Sequence, residues 1–79
     1  MGVIVQTIAD SKSLGLLIRQ ERKAQALTQE QLAALTGVGV RFVRELEAGK
    51  ESCQVGLALQ VAGALGLVIS IGSRRESGS

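Results

Sequence analysis

Seventy-nine residues with a net charge of +2, no histidine and one cysteine make a single small domain that can neither close an internal disulfide nor build a Cys/His zinc site. Hydrophobic residues are 46% of the chain but only Phe42 is aromatic, so the core is expected to be aliphatic and mainly helical. So short a chain buries a limited core, which invites a second copy, and the slight positive charge permits a nucleic-acid partner without demanding one.

The first ten residues, MGVIVQTIAD, lack the basic region and the long apolar segment of a secretory signal, which points to the cytoplasm and a reduced Cys53. Residues 3–8 (VIVQTI) are short and β-branched and predict a strand. Asp10 or Ser11 then caps a helix expected to run to about Ala26, with Leu14, Leu17 and Ile18 on its buried face. One turn further along that face stands Arg22, a charge on an apolar stripe.

Thr28-Gln29-Glu30-Gln31 has the form of a capping box, and Leu27 and Leu32 flank it as a hydrophobic staple. A second helix therefore starts at Gln29 and ends near Thr36, where Gly37 offers a left-handed C-terminus. After Gly37-Val38-Gly39 a third helix runs to Ala48, stopped by Gly49. Val43 and Leu46 define its inner face, which also carries Glu47. Since an unpaired buried charge is costly and a paired one tolerable, Arg22 and Glu47 are expected to meet.

Residues 55–72, VGLALQVAGALGLVISIG, contain no charge and sit at the lower length limit of a bilayer-spanning helix. Ser52 is a candidate cap for a fourth helix from Cys53 to about Leu65, closed by Gly66, and residues 67–71 (LVISI) then read as a strand. Three amphipathic helices need an apolar lid, which favours this division over a membrane span. Unpaired strands are unstable in water. Those at the two ends are expected to form a sheet, within the chain or between two chains, burying Leu67, Val68, Ile69 and Ile71 in a dimer interface. The domain is thus expected to cover residues 1–72, with 73–79 a disordered polar tail.

Two short helices joined by a glycine-containing turn, over residues 28–48, form a helix-turn-helix unit. The segment LGLLIRQERKAQALTQEQLAALTGVGVRFVRELEAGK resembles the DNA-binding domain of phage repressors and of the Xre class of bacterial regulators. The resemblance rests on R-x5-T-Q-x2-L-A-x3-G-V from Arg22, and on L-E-x-G-K ending at Lys50. Within that class it is most similar to HipB-like antitoxins, through L-G-x-x-I-R at residues 14–19 and A-L-G-L at residues 64–67. The resemblance implies a repressor-like domain of four to five helices and a structural ion pair between Arg22 and Glu47. It also implies a dimer that binds a palindromic operator in double-stranded DNA, and a HipA-like kinase toxin as partner. Gly39, where the family often has serine, and Glu51-Ser52-Cys53, where proline is common, depart from the pattern and leave the loop geometry open.

With Val43 pointing inward and 100° per residue, Arg41 and Glu45 point outward and Arg44 lies on the flank. Gly39 and Val40 form the tip that usually meets base edges in this motif. Arginine suits guanine, and Val40 a thymine methyl; Glu45 would repel phosphate unless it accepts from cytosine. Gln29 lies where a helix N-terminus attracts a phosphate, and Lys50 lies beyond the third helix. For Val40, Arg41, Arg44 and Glu45 the plainer alternative is a solvated surface group, and Arg19 and Lys23 on the first helix read as plain surface residues.

No histidine, paired-carboxylate constellation or phosphate loop supports an enzyme or a cofactor, and no metal site is expected. The reading is a cytoplasmic, nucleoid-associated repressor that autoregulates its operon as an antitoxin. A stand-alone phage-type repressor, a protein-binding inhibitor without DNA binding and a small membrane peptide are the alternatives.

Overall fold

A computed structural model describes residues 6–73 and Arg75, and these form four helices: α1 (Ser11–Ala24), α2 (Gln29–Thr36), α3 (Val40–Glu47) and α4 (Val55–Ala64). Each of the first two starts on a reciprocal cap. Asp10 Oδ1 accepts from the Ser13 N–H at 2.8 Å while Ser13 Oγ accepts from the Asp10 N–H at 3.1 Å. At α2 the Thr28 hydroxyl accepts from the Gln31 N–H at 3.0 Å, and the Gln31 side chain accepts from the Thr28 N–H at 2.8 Å. Both boxes satisfy backbone donors that a helix start leaves free.

α3 ends at Gly49, whose φ of +83° lets the Lys50 N–H reach back to the Glu45 carbonyl at 3.0 Å and its own N–H reach that of Leu46 at 3.0 Å. α4 ends the same way on Gly66, through the Leu67 N–H to the Ala62 carbonyl at 3.0 Å. α1 uses the same closure without glycine: Ala26 takes φ +57° and the Leu27 N–H bonds the Arg22 carbonyl at 3.1 Å. The helix therefore stops two residues before the alanine expected to end it.

α3 packs against α1 and α2, and α4 closes the bundle over α2. Ile18, Leu32, Val43 and Val61, one from each helix, are fully buried and meet around Ala33, Leu46, Ala58 and Leu65. Each of the four large aliphatics contributes roughly 1.5–3 kcal/mol relative to exposure. Two amides tie the helix ends together: Gln25 Nε2 donates to the Leu65 carbonyl at 2.8 Å and Gln60 Nε2 to the Thr36 carbonyl at 3.0 Å.

At the ends one expectation is corrected and the two expected strands are not seen among the described residues. α4 starts at Val55 rather than Cys53, because residues 51–53 turn away and Gln54 takes the N-cap position without a side-chain cap, so Ser52 does not cap it. Residues 67–71 form no strand: Leu67 is bonded to the end of α4, and among the described residues nothing offers the rest a ladder partner. Residues 6–8 are likewise not a strand, and the remainder of the expected strand at 3–8 lies outside the described residues, as does most of the expected tail at 73–79. Among the described residues no helix is long and apolar enough to cross a membrane.

Candidate nucleic-acid interface

The site begins with a buried ion pair. Arg22 Nε donates to Glu47 Oε2 at 2.6 Å and its terminal nitrogen to Oε1 at 2.9 Å, with the side chains only 9% and 3% exposed. This fork-on-fork pairing is the geometry in which arginine and carboxylate bind most strongly. The third arginine nitrogen donates to the Leu27 carbonyl at 2.8 Å, which fixes the loop between α1 and α2. Glu47 Oε1 also accepts from Gln29 Nε2 at 3.1 Å. A single chain of bonds thus runs from α1 through α3 to the first residue of α2, and it sets the angle between the two helices of the motif.

Burial by itself would push the Glu47 carboxyl up, but donation from Arg22 and Gln29, with the arginine charge, outweighs it and holds the group below its ordinary value. The same bond raises Arg22 above the ordinary arginine value, against the opposing effect of burial. Both groups are therefore charged at neutral pH.

Close approach of α1 to α3 depends on Gly15. A Cβ at this position would strike the Leu46 carbonyl oxygen and lie 2.8 Å from that of Glu47, both backbone atoms that cannot yield. Gly15 is buried for this reason, although the sequence pattern marks it only as part of L-G-x-x-I-R.

With its inner face sunk through Val43, Leu46 and Glu47, α3 presents its other charged residues, Arg41, Arg44 and Glu45, outward. Arg41 is 88% exposed and its Nε donates to Glu45 Oε2 at 3.3 Å. The same oxygen receives Lys50 Nζ at 3.2 Å, so one carboxylate brackets a cation at each end of the helix. The lysine bond comes first among the causes, ahead of Arg41, that hold the Glu45 carboxyl below its ordinary value. Arg44 turns the other way, towards α2, where a terminal nitrogen donates to Glu30 Oε2 at 3.2 Å.

Gly39 is the exposed N-cap of α3 and makes no side-chain cap bond. Val40 at the tip is half-buried and packs on the core, so only part of it faces outward. Gln29 is half-buried at the start of α2, with its side-chain amide committed to Glu47. Arg19 and Lys23 are exposed on α1. Val68, Ile69 and Ile71 stand 87%, 40% and 95% exposed, while Leu67 is half-buried against the core.

Glu30 and the bracketing position of Glu45 are features of the site that the sequence pattern does not single out. The spacing of Arg41 and Glu45 was a readable signal for an i,i+4 pair. The reach of Arg44 to Glu30 was not, because it joins two helices whose relative angle no single-helix periodicity contains.

Comparison with known proteins agrees with this geometry. The profile of the helix-turn-helix family matches residues 18–68. The uncharacterized HTH-type transcriptional regulator y4mF of Sinorhizobium fredii (strain NBRC 101917 / NGR234) is 47% identical over 75 residues, covering 91% of this chain and 95% of its own. Among solved structures, a HipB-O4 20mer complex aligns with a TM-score of 0.80 over 89% of this chain and 99% of that one, at 17% identity. A HipA-HipB-O2-O3 complex gives the same values, 0.80, 89%, 99% and 17%, and at that identity the likeness concerns the fold. With the family profile covering more than half of its residues and a relative aligned along nearly its whole length, the chain belongs to the Xre-type helix-turn-helix family of transcriptional regulators, which are not enzymes.

Proposed function

We propose that the protein binds operator DNA as a homodimer, laying α3 in the major groove, and represses transcription. The observation that carries this reading is that Arg41, Arg44 and Lys50 stand exposed on and beside α3 while the opposite side of that helix is anchored in the core. Arg41 and Arg44 read base edges; Lys50 and the start of α2 at Gln29 hold phosphates. Gly39 and Val40 approach the bases at the tip, and Glu45 orients Arg41 and Lys50.

Dimerisation is supported by the uncovered aliphatics Val68, Ile69 and Ile71, joined on α4 by Val55 and Leu59. Residues 67–71 of two copies then supply each other with the ladder partner that they lack among the described residues. Two recognition helices about 34 Å apart select a palindrome. The likeness to HipB supports a finer reading, an antitoxin that autoregulates its operon and binds a HipA-like kinase toxin, working in the cytoplasm at the nucleoid. Co-expression with the product of the adjacent reading frame and the mass of any complex test it. An isolated gene or two separate masses would leave a stand-alone repressor.

The DNA reading is tested by selecting a duplex from a random-sequence library and measuring its affinity for single variants across salt concentrations. Arg41→Ala and Arg44→Ala are expected to lose roughly 1–3 kcal/mol each and to relax specificity, whereas Lys50→Ala weakens all sequences alike and lowers the salt slope by about 1. Unaltered affinity in both arginine variants would overturn the assignment of α3.

A further inference from the structure

We propose that Glu30 is a specificity-determining residue that acts as an internal competitor for Arg44: DNA must take this arginine away from Glu30 before using it. The inference rests on the reading of α3 as the DNA-contacting helix and names a residue that this reading does not require.

Glu30 is the second residue of α2, in the turn where Gln29 is read as facing a phosphate, and its Oε2 lies 3.2 Å from the Arg44 guanidinium. The pair joins helices that the Arg22–Glu47–Gln29 chain already holds at a fixed angle, so stability does not require it. With the two side chains 56% and 66% exposed, it contributes little to folding.

Its position gives it another effect. Besides the buried Arg22–Glu47 pair, the ion pairs around α3 among the described residues join three cations, Arg41, Arg44 and Lys50, to two carboxylates, Glu30 and Glu45. Glu45 is shared between two cations and leaves that cluster positive, whereas Arg44 and Glu30 neutralise each other one to one. In the free protein Arg44 therefore offers little net attraction to an arbitrary phosphate backbone. A duplex that engages it must both break the bond to Glu30 and bring phosphate near the carboxylate released. Only a site that returns those losses, through a bidentate contact to guanine or a well-placed phosphate, uses Arg44 fully.

The test is a double-mutant cycle with Glu30→Gln, Arg44→Ala and the combined variant, against the library-selected duplex at one fixed salt concentration. Circular dichroism verifies that each variant is folded, as expected for exposed positions. If Glu30 competes for Arg44, Glu30→Gln tightens binding when Arg44 is present, and does so about two- to fivefold more than when Arg44 is alanine. An equal or larger gain in the alanine background would make Glu30 a plain repulsive charge, and weaker binding by Glu30→Gln would make it a support for Arg44. Either result overturns the proposal. Failure of the unaltered protein to bind any selected duplex would instead overturn the DNA reading itself.

Discussion

An arginine buried between helices is tolerable only if its charge and its polar atoms are met, and at Arg22 each of the three nitrogens has an acceptor, supplied by Glu47 and by the Leu27 carbonyl. Removing one partner is far more harmful than the pair is helpful. Glu47→Ala is expected to destabilise the domain by roughly 3–5 kcal/mol, measured by urea denaturation at neutral pH, because it strands a buried cation. The pair also carries a pH dependence. The Glu47 carboxyl is held below its unfolded value of 4.5, so its contribution is fully present above that pH and is lost as pH falls through the lower folded value. Denaturation midpoints are expected to drop below about pH 4.5, and to drop less steeply in Glu47→Gln, which is already destabilised at neutral pH. A Gln variant with an unchanged acid limb would show that other carboxylates govern acid unfolding.

Between elements, backbone geometry at two small residues sets the packing. Gly15→Ala forces α1 away from α3 and is expected to cost roughly 1–3 kcal/mol as an overpacking change, although alanine is the better helix former. Ala26→Gly acts in the opposite direction: the left-handed φ of +57° is strained for alanine, and glycine is expected to gain about 0.5–1 kcal/mol after its greater unfolded-state entropy is subtracted. Both are read as shifts of the urea midpoint. These two positions also mark what the sequence conveyed. The capping box at Thr28 placed the start of α2 because every group in it lies within four residues, and Gly37 and Gly49 placed two helix ends for the same reason. Ala26 carries no such mark, so the sequence pattern runs α1 on to it. The Arg22–Glu47 meeting was legible because two charges on two apolar stripes leave few alternatives. The partner of Arg44 was not, since it depends on the angle between α2 and α3, and the β-branched runs at the two ends conveyed strand propensity but not whether a ladder partner stands beside them.

For the whole molecule, the unresolved demand is the apolar surface at residues 67–71 and on α4. Val68 and Ile71 are almost fully exposed and Val55 is 72% exposed, although the core holds only four fully buried large aliphatics among the described residues. Covering them with a second copy adds hydrophobic burial that folding of one chain leaves unused. If that copy is part of the folded state, the Tm rises with protein concentration, because unfolding then also separates two chains. Light scattering is expected to give about twice the 8.2 kDa chain mass. The combined variant Val68→Ser and Ile71→Ser is expected to run as a folded monomer, with a Tm independent of concentration. It should bind a single half-site as the unaltered domain does, while losing on the order of 10²-fold or more on the palindrome, where the second contact no longer comes at high effective concentration. A monomeric wild-type protein, or a variant that keeps both its mass and its palindrome affinity, would mean that these residues are not the seam and that the exposed aliphatics serve a different partner.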